Sequence, residues 1–242
     1  MNNDAPVNAE AVGGKPYELS IVTTADGSKT IYNAEVGELY HSRNGALQES
    51  KHVFVNAGLN FFLANTNTTE VSILEVGFGT GLNFLLSADV CVDRQVSLNY
   101  TGIEAYPLTP EIMSQTGYEE YTSSELWKTY ITQYPNALLS QVTLNTYTLL
   151  QIANCKLQAF KAPRQYDIVY FDAFAASRQP EMWEQEAISR VAAFVKPGGI
   201  FVTYAITGNL KRMLKALDFK IEKIPGAAGK REMLRATKIT AP

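Results

Sequence analysis

From residue 71 onward, short unbroken apolar runs alternate with longer segments whose apolar positions recur at helical spacing. "VSILEVG" predicts a buried strand, and "TGLNFLLSADVCV" a helix that opens straight after a glycine-rich turn. "SLNYTGIEA" is a second strand ending at Glu104, "PLTPEIMSQTGY" and "SSELWKTYITQY" are helices, and "QVTLNTYTL" is a third strand. "YDIVYFDAF" is a fourth strand ending in Asp172. "PEMWEQEAISRVAAFV" is an amphipathic helix with Pro180 in its first turn, terminated by "KPGG". "IFVTYA" is a fifth strand, "NLKRMLKALDF" a helix, and "KIEKIP" with "REMLRATKI" a closing strand pair. Strands and helices in this alternation predict an α/β sandwich around a mostly parallel, seven-stranded sheet.

Before residue 71 the rhythm differs. "YELSIVTTADGSKTIYN" reads as two strands around a turn at Ala25-Asp26-Gly27, and "ESKHVFVNAGLNFFLAN" as a helix with one buried face. The chain thus divides into a frayed, disordered tail over 1–16, a small β-hairpin and helix addition over 17–70, and a Rossmann-like domain over 71–242.

Composition narrows the function classes. The chain has 242 residues, 46% of them hydrophobic and 19% charged, with a net charge of −3, so no global basic field advertises nucleic acid. The charge is uneven. From Gly208 to the end, nine Lys/Arg face three Asp/Glu, a local +6 on an otherwise acidic body. The first residues lack the basic start and apolar centre of a signal peptide, and no apolar run reaches membrane-spanning length, so a cytoplasmic protein off the membrane is expected. Cys91 and Cys155, with His41 and His52, form no pattern for a disulfide framework or a metal site. Neither histidine accompanies a nucleophile elbow that would suggest a serine triad.

"ILEVGFGTGLNF" carries the candidate chemistry. A strand, then Gly77, Gly79 and Gly81, then a helix is the arrangement that holds a nucleotide-like ligand at the carboxyl end of a sheet. A dinucleotide fingerprint would require glycine where Leu82 stands. The form E-x-G-x-G-x-G suits S-adenosylmethionine instead, with Glu75 holding the methionine ammonium and Glu104, 23 residues after Gly81, taking the ribose hydroxyls. Asp172, ending an apolar strand, costs free energy unless it meets a donor. A helix cap or an arginine satisfies that need, and so does a substrate amine, whose lone pair such a hydrogen bond would orient. Phe174 and Trp183 either wall the site or pack the core, and Trp183 on its helix favours packing.

These residues resemble the methyltransferase domain of the MnmC/MnmD type, which uses S-adenosylmethionine to convert 5-aminomethyl-2-thiouridine at the tRNA wobble position to its 5-methylaminomethyl form. "ELYHSRNGALQESKHVFV", "EVGFGTGLNFL", "FDAFAASRQPEMW" and "GKREML" carry the match, across nearly the whole chain. The resemblance implies a Rossmann-like class I methyltransferase sheet with an antiparallel last strand. It implies that Glu75, Gly77, Phe78, Gly79, Gly81 and Asn83 line the cofactor with Glu104 at its ribose, and that Asp172 holds the aminomethyl nitrogen as the catalytic group. Glu49, Ser50, Phe174, Lys230 and Arg231 would lie by the substrate, the last pair reaching phosphate of the tRNA anticodon loop. It also implies no metal, no fused flavin oxidase domain, and an upstream tRNA-modifying enzyme that supplies the aminomethyl substrate. Two positions depart from the family: Ala176 replaces a proline that follows the Asp172 motif, and no acidic residue follows the third strand to read the adenine, which leaves that contact unassigned. Competing expectations are an aminopropyltransferase of the spermidine-synthase type, opposed by the lack of a paired aspartate beside Asp172, and a non-catalytic cofactor- or tRNA-binding homologue. A nicotinamide dehydrogenase fits least.

Overall fold

The structure is a computed structural model that describes residues 7–9 and 17–240. Strands β1 (Val7–Ala9), β2 (Tyr17–Thr23), β3 (Lys29–Asn33) and β4 (Glu38–Leu39) make a small antiparallel sheet in that order. β2 and β3 are the expected hairpin. Its turn is fixed by Asp26, whose Oδ1 accepts from Thr24 Oγ1 at 2.8 Å and from Ser28 N at 3.0 Å. Apart from β1, which pairs with Tyr17–Leu19, the tail expected over 1–16 lies outside the described residues.

The chain then forms one helical rod: α1 (Ala46–Glu49), a π-helix over Ser50–Asn60, and α2 (Phe61–Ala64). The pattern anticipated a helix here, not its wide turns. Val53, Phe54, Val55, Ala57 and Leu59 are all buried, more of the circumference than one narrow stripe. Gly58 lets the rod lie directly on the main sheet, since an added Cβ would stand 2.9 Å from Tyr170 and 3.1 Å from Val202.

That sheet has eight strands: β5 (Glu70–Val76), β6 (Ser97–Glu104), β7 (Val142–Asn145), β8 (Thr148–Asn154), β9 (Tyr166–Phe171), β10 (Val195–Thr203), β11 (Phe219–Pro225) and β12 (Glu232–Lys238). Their order is β11-β12-β10-β9-β5-β6-β8-β7. The five from β10 to β8 are parallel, and β12, β11 and β7 add antiparallel edges. Helices α3 (Leu82–Asp93), α4 (Pro110–Met113), α5 (Ser124–Ala137), α6 (Gln185–Ala193) and α7 (Gly208–Ala216) complete the fold. Two buried clusters form the core. One unites the helical rod, α3 and α5 with the sheet, and the other joins α6 and α7 to it. No helix among the described residues is long and apolar enough to cross a membrane.

Three expectations need correction. The predicted third strand is a hairpin: Asn145 Oδ1 accepts from Tyr147 N at 2.9 Å, turns the chain, and yields β7 and β8, hence eight strands rather than seven. The helix placed at Pro180 splits into a 3₁₀ turn over Pro180–Trp183 and α6, because Glu184 takes an extended conformation (φ −83°, ψ 165°). "KPGG" lies inside β10 as an irregularity between Val195 and Ile200, not as a helix stop.

β6 and β8 extend the sheet on one side of β5, whereas β9 and β10 extend it on the other. The reversal between β5 and β9 opens a crevice at their carboxyl ends, the ligand position of open α/β sheets. Close packing supports this edge. A Cβ on Gly102 in β6 would overlap the Phe78 ring and stand 2.9 Å from the Phe78 Cβ. Gly102→Ala is expected to destabilise by about 1–3 kcal/mol, a melting-temperature loss of roughly 2–12 °C for a domain of this size. An unchanged melting curve would show that Phe78 can yield and that the close fit is unimportant.

Candidate active site

β5 ends at Val76, and residues 77–81 turn the chain into α3. Asp172 N donates to Val76 O at 2.9 Å, which ties the end of β9 to the start of that turn. Gly77 (φ +86°) faces the Asp172 carbonyl, which a Cβ would overlap. Gly81 (φ +78°) caps α3 against the Tyr130 hydroxyl with equally little room. Packing within the protein alone therefore requires glycine at both positions. Gly79 N donates to Glu104 Oε2 and Tyr106 N to Glu104 Oε1, each at 2.9 Å, so the carboxylate ending β6 braces the turn from the side.

Beneath the turn lies a chain of carboxyl groups. Glu75 is fully buried; its Oε1 accepts from Asn83 Nδ2 and its Oε2 from Tyr100 Oη, both at 2.7 Å. The same Asn83 Nδ2 donates to Asp172 Oδ2 at 2.9 Å. Burial, and then the neighbouring charge of Asp172, pushes Glu75 well above the usual carboxylate range despite the Asn83 and Tyr100 hydrogen bonds. Asp172 is pushed up to about 8, by burial first and by the Glu49 charge second, against the Asn83 hydrogen bond and the Lys230 ammonium. Burial also raises Glu104, more than its backbone N–H bonds lower it. Asn83 Oδ1 is buried with no hydrogen-bond partner among the described residues.

These features fit S-adenosylmethionine. Its ammonium can donate to the unpaired Asn83 oxygen, its positive charges offset the burial that raises these carboxyl groups, and its ribose diol can donate to Glu104. No group of His, Cys, Asp or Glu among the described residues is placed to hold a metal ion.

The N-terminal elements roof the crevice. A Cβ on Gly79 would stand 2.9 Å from the Tyr40 ring, and that ring meets Phe174 edge-on at 5.3 Å. His41 bridges Thr30 (3.0 Å) and Thr80 (3.5 Å), and burial drives its pKa down to about 4, so it is a neutral strut. Glu49 accepts from Ser42 N at 2.7 Å and pairs with Lys230 Nζ at 2.8 Å. That ammonium also lies 3.8 Å from the centre of the Tyr204 ring. Tyr204 Oη donates to Ala173 O at 2.9 Å, Trp183 Nε1 to Phe174 O at 2.7 Å, and Ala175 N to Glu38 Oε2 at 3.2 Å. The Asp172 loop is thus anchored at successive residues, although Ala176 stands where the family pattern has proline.

The structure brings together Glu75, Gly77, Gly79, Gly81, Asn83, Glu104, Asp172, Glu49, Phe174 and Lys230, and it corrects other expectations. Phe78 does not face the cofactor crevice: it is buried among Phe84, Tyr100 and Tyr130, in the space that Gly102 leaves open. Lys230 is engaged by Glu49 and Tyr204 rather than offered to phosphate. Ser50 is wholly buried in the π-helix, its hydroxyl without a partner among the described residues, while Arg231 is exposed. Trp183 packs as expected. Asn154, ending β8 in register with Glu104, occupies the strand end where the adenine-reading acid was sought. Sequence reasoning missed Tyr100, Tyr204 and Glu38. Only Tyr204, following a strand at the carboxyl edge, left a positional signal.

Comparison with known proteins agrees with this geometry. A family model described as S-adenosyl-L-methionine-dependent methyltransferase matches residues 120–239. The tRNA 5-methylaminomethyl-2-thiouridine biosynthesis bifunctional protein MnmC of Methylobacillus flagellatus is 30% identical over 222 residues, covering 84% of this chain and 33% of that protein. Its counterpart from Magnetococcus marinus is 28% identical over 228 residues, covering 88% and 34%. The chain thus spans about a third of the length of these relatives. The crystal structure of MNMC2 from Aquifex aeolicus superposes with a TM-score of 0.70 at 24% identity, over 93% of this chain and 72% of that one. With the parallel sheet, the glycine turn and the buried carboxyl chain, these matches make the protein a class I S-adenosylmethionine-dependent methyltransferase, homologous to the methyltransferase part of the MnmC proteins.

Proposed function

We propose that the chain methylates the aminomethyl nitrogen of 5-aminomethyl-2-thiouridine at the tRNA wobble position, giving the 5-methylaminomethyl form. The observation that carries this reading is the cluster of Asp172, Glu49 and Tyr204 over Asn83, two carboxyl groups and an aromatic face suited to an alkylamine. The relatives named for this biosynthesis support the choice of substrate. A tRNA substrate is in keeping with the cytoplasm, and the aminomethyl group has to be on the tRNA before this step.

When bound, S-adenosylmethionine supplies a methyl group already activated by a cationic sulfur. Glu75 and Asn83 would hold its amino-acid end and Glu104 its ribose. Asp172 accepts a hydrogen bond from the substrate amine and turns the nitrogen lone pair toward the methyl. As the new N–C bond forms, the S–C bond to the methyl group would break with neutral S-adenosylhomocysteine as leaving group, and the extra proton on the nitrogen would pass to the Asp172 carboxylate. A carboxyl near 8 is poised for that role, because any positive charge brought beside it lowers its pKa and favours the ionised, accepting form. Tyr40 and Phe174, in edge-on contact, would wall the site from above. The wobble base must be splayed out of its loop to enter.

Radiolabelled methyl transfer into tRNA bearing 5-aminomethyl-2-thiouridine tests the assignment. Asp172→Ala is expected to lose about 10²–10⁴-fold in rate, with cofactor binding by calorimetry retained. Loss of cofactor binding in parallel would move Asp172 to the cofactor site. Bound cofactor with no label from wild type would put the substrate elsewhere.

Asp172 also sets a pH dependence in the unliganded protein. Its folded pKa, about 8, lies above the unfolded value of about 3.9. It therefore favours the fold most below the unfolded value, and that contribution is lost as pH rises through the folded one. Asp172→Asn removes the effect. Its melting temperature should rise above that of wild type by a margin that widens between about pH 4 and pH 8 and then levels off. A margin constant across that window would mean that Asp172 has an ordinary pKa.

A further inference from the structure

The basic C-terminal part holds cations that the active site does not use. Lys230 pairs with Glu49, Arg235 with Glu222, and Lys238 donates to the Ala192 and Val195 carbonyls. α7 is different. Leu210, Met213 and Leu214 are its buried side, whereas Gly208, Lys211, Arg212 and Lys215 fall at positions i, i+3, i+4 and i+7, a single outward stripe. No acidic residue occurs in this helix. Lys211 and Lys215 lie one turn apart and repel each other, and Lys211 and Arg212 stand in the half of the helix where its dipole disfavours cations. A stripe arranged for helix stability alone would interleave glutamates. Lys211 and Lys215 have no ion-pair or hydrogen-bond partner among the described residues, and Arg212 reaches only Asn209 Oδ1, at 3.4 Å.

α7 packs on edge strand β11, and between them runs a trough of about 520 Å³ lined by Gly208, Lys211, Arg212, Lys215, Ile221 and Lys223. None of its lining residues is acidic. Glu222 points to the other face of β11, toward Arg235; Glu232 lies 3.7 Å from Lys223; Asp218 follows the far end of α7. The trough opens at the active-site edge of the sheet. β10 delivers the chain there, Thr207 caps α7 by accepting from Leu210 N at 3.1 Å, and β11 returns there at Pro225, ahead of the loop that carries Lys230 into the crevice.

We propose that this trough is a track for the RNA phosphate backbone, along which the strand flanking the inserted base is held by Lys211, Arg212, Lys215 and Lys223 against the Ile221 floor. The inference rests on the tRNA reading above and adds where the RNA lies. Ordered phosphate contacts of this kind position a substrate without reading its sequence.

The test compares full-length wild type with the triple variant Lys211→Ala, Arg212→Ala, Lys215→Ala. Unmodified and aminomethyl-bearing tRNA are titrated by fluorescence anisotropy across a salt series, S-adenosylhomocysteine binding is followed by calorimetry, and methyl transfer is resolved into kcat and KM. The triple variant should bind tRNA about 10–100-fold more weakly at low salt, with the slope of log Kd against log salt reduced by about 2–3. Its KM for tRNA should rise while kcat and S-adenosylhomocysteine affinity stay at wild-type values, and the charge-keeping variant Lys211→Arg, Arg212→Lys, Lys215→Arg should bind as wild type does. Wild-type affinity and salt slope in the triple variant, with methyl transfer to tRNA intact, would overturn the track alone. A wild type that binds S-adenosylhomocysteine but no tRNA would overturn the substrate reading and the track with it.

Discussion

One amide group holds two acids together at the centre of this protein. Asn83 Nδ2 donates to Glu75 and to Asp172, residues that end neighbouring strands on either side of the sheet's reversal point. Without it, two carboxyl groups would face one another in the crevice with no donor between them, an arrangement that costs free energy when both are ionised. The remaining features follow from where this amide must sit. α3 has to begin directly above β5, so the turn must be tight, and Gly77 and Gly81 make it so. Tyr100 must rise from β6 to occupy the second Glu75 oxygen, and the aromatic cluster of Phe78, Phe84 and Tyr130 fills the space around it.

The same constraint explains why the N-terminal elements belong to the catalytic crevice. A carboxyl pushed up to about 8 stays there only while water is kept out. Tyr40, His41 and Glu49 come from the segment between β3 and the π-helix; the first two lie against Gly79 and Thr80, and the Glu49 charge acts on Asp172. Glu38 holds the backbone of the Asp172 loop from the same side. The helical rod fastens this roof to the sheet through Gly58 and its apolar neighbours, so roof and floor share one core.

What was legible in the sequence was local. Glu75, the glycines, Glu104 and Asp172 each end a strand or make a turn, and strand ends at one edge of a parallel sheet converge by topology. Side chains whose role depends on what faces them were not legible. Phe78 sits inside the glycine motif, yet points into the gap left by Gly102, a residue on another strand. Lys230, a phosphate ligand by family resemblance, pairs instead with Glu49, far away in the chain. The eighth strand was hidden because apolar and β-branched residues recur on both sides of Asn145 in "QVTLNTYTLLQIAN", and only an asparagine turn marks the reversal. The π-helix carries no period that distinguishes it from an α-helix over so few turns.

The distribution of charge joins these scales. The crevice is lined by carboxyl groups whose ionised form, favoured beside a cationic cofactor, suits an amine but repels phosphate. An RNA substrate can present its base there only if its backbone is held farther out, beyond the reach of that repulsion, which salt screens over about 8 Å. On the proposed reading, acid at the centre would select the reacting group, and base at the rim would keep the polyanion attached to it at a tolerable distance. Lys230, paired with Glu49 and stacked on Tyr204, stands at the boundary between the two fields. Its ammonium already rests against the aromatic ring and carboxylate where an alkylamine would be received, so an incoming amine competes with a charge of its own kind. That competition favours a ligand whose backbone is also held at the basic rim over a free amine of the same chemistry, because tethering raises the amine's effective concentration at the crevice.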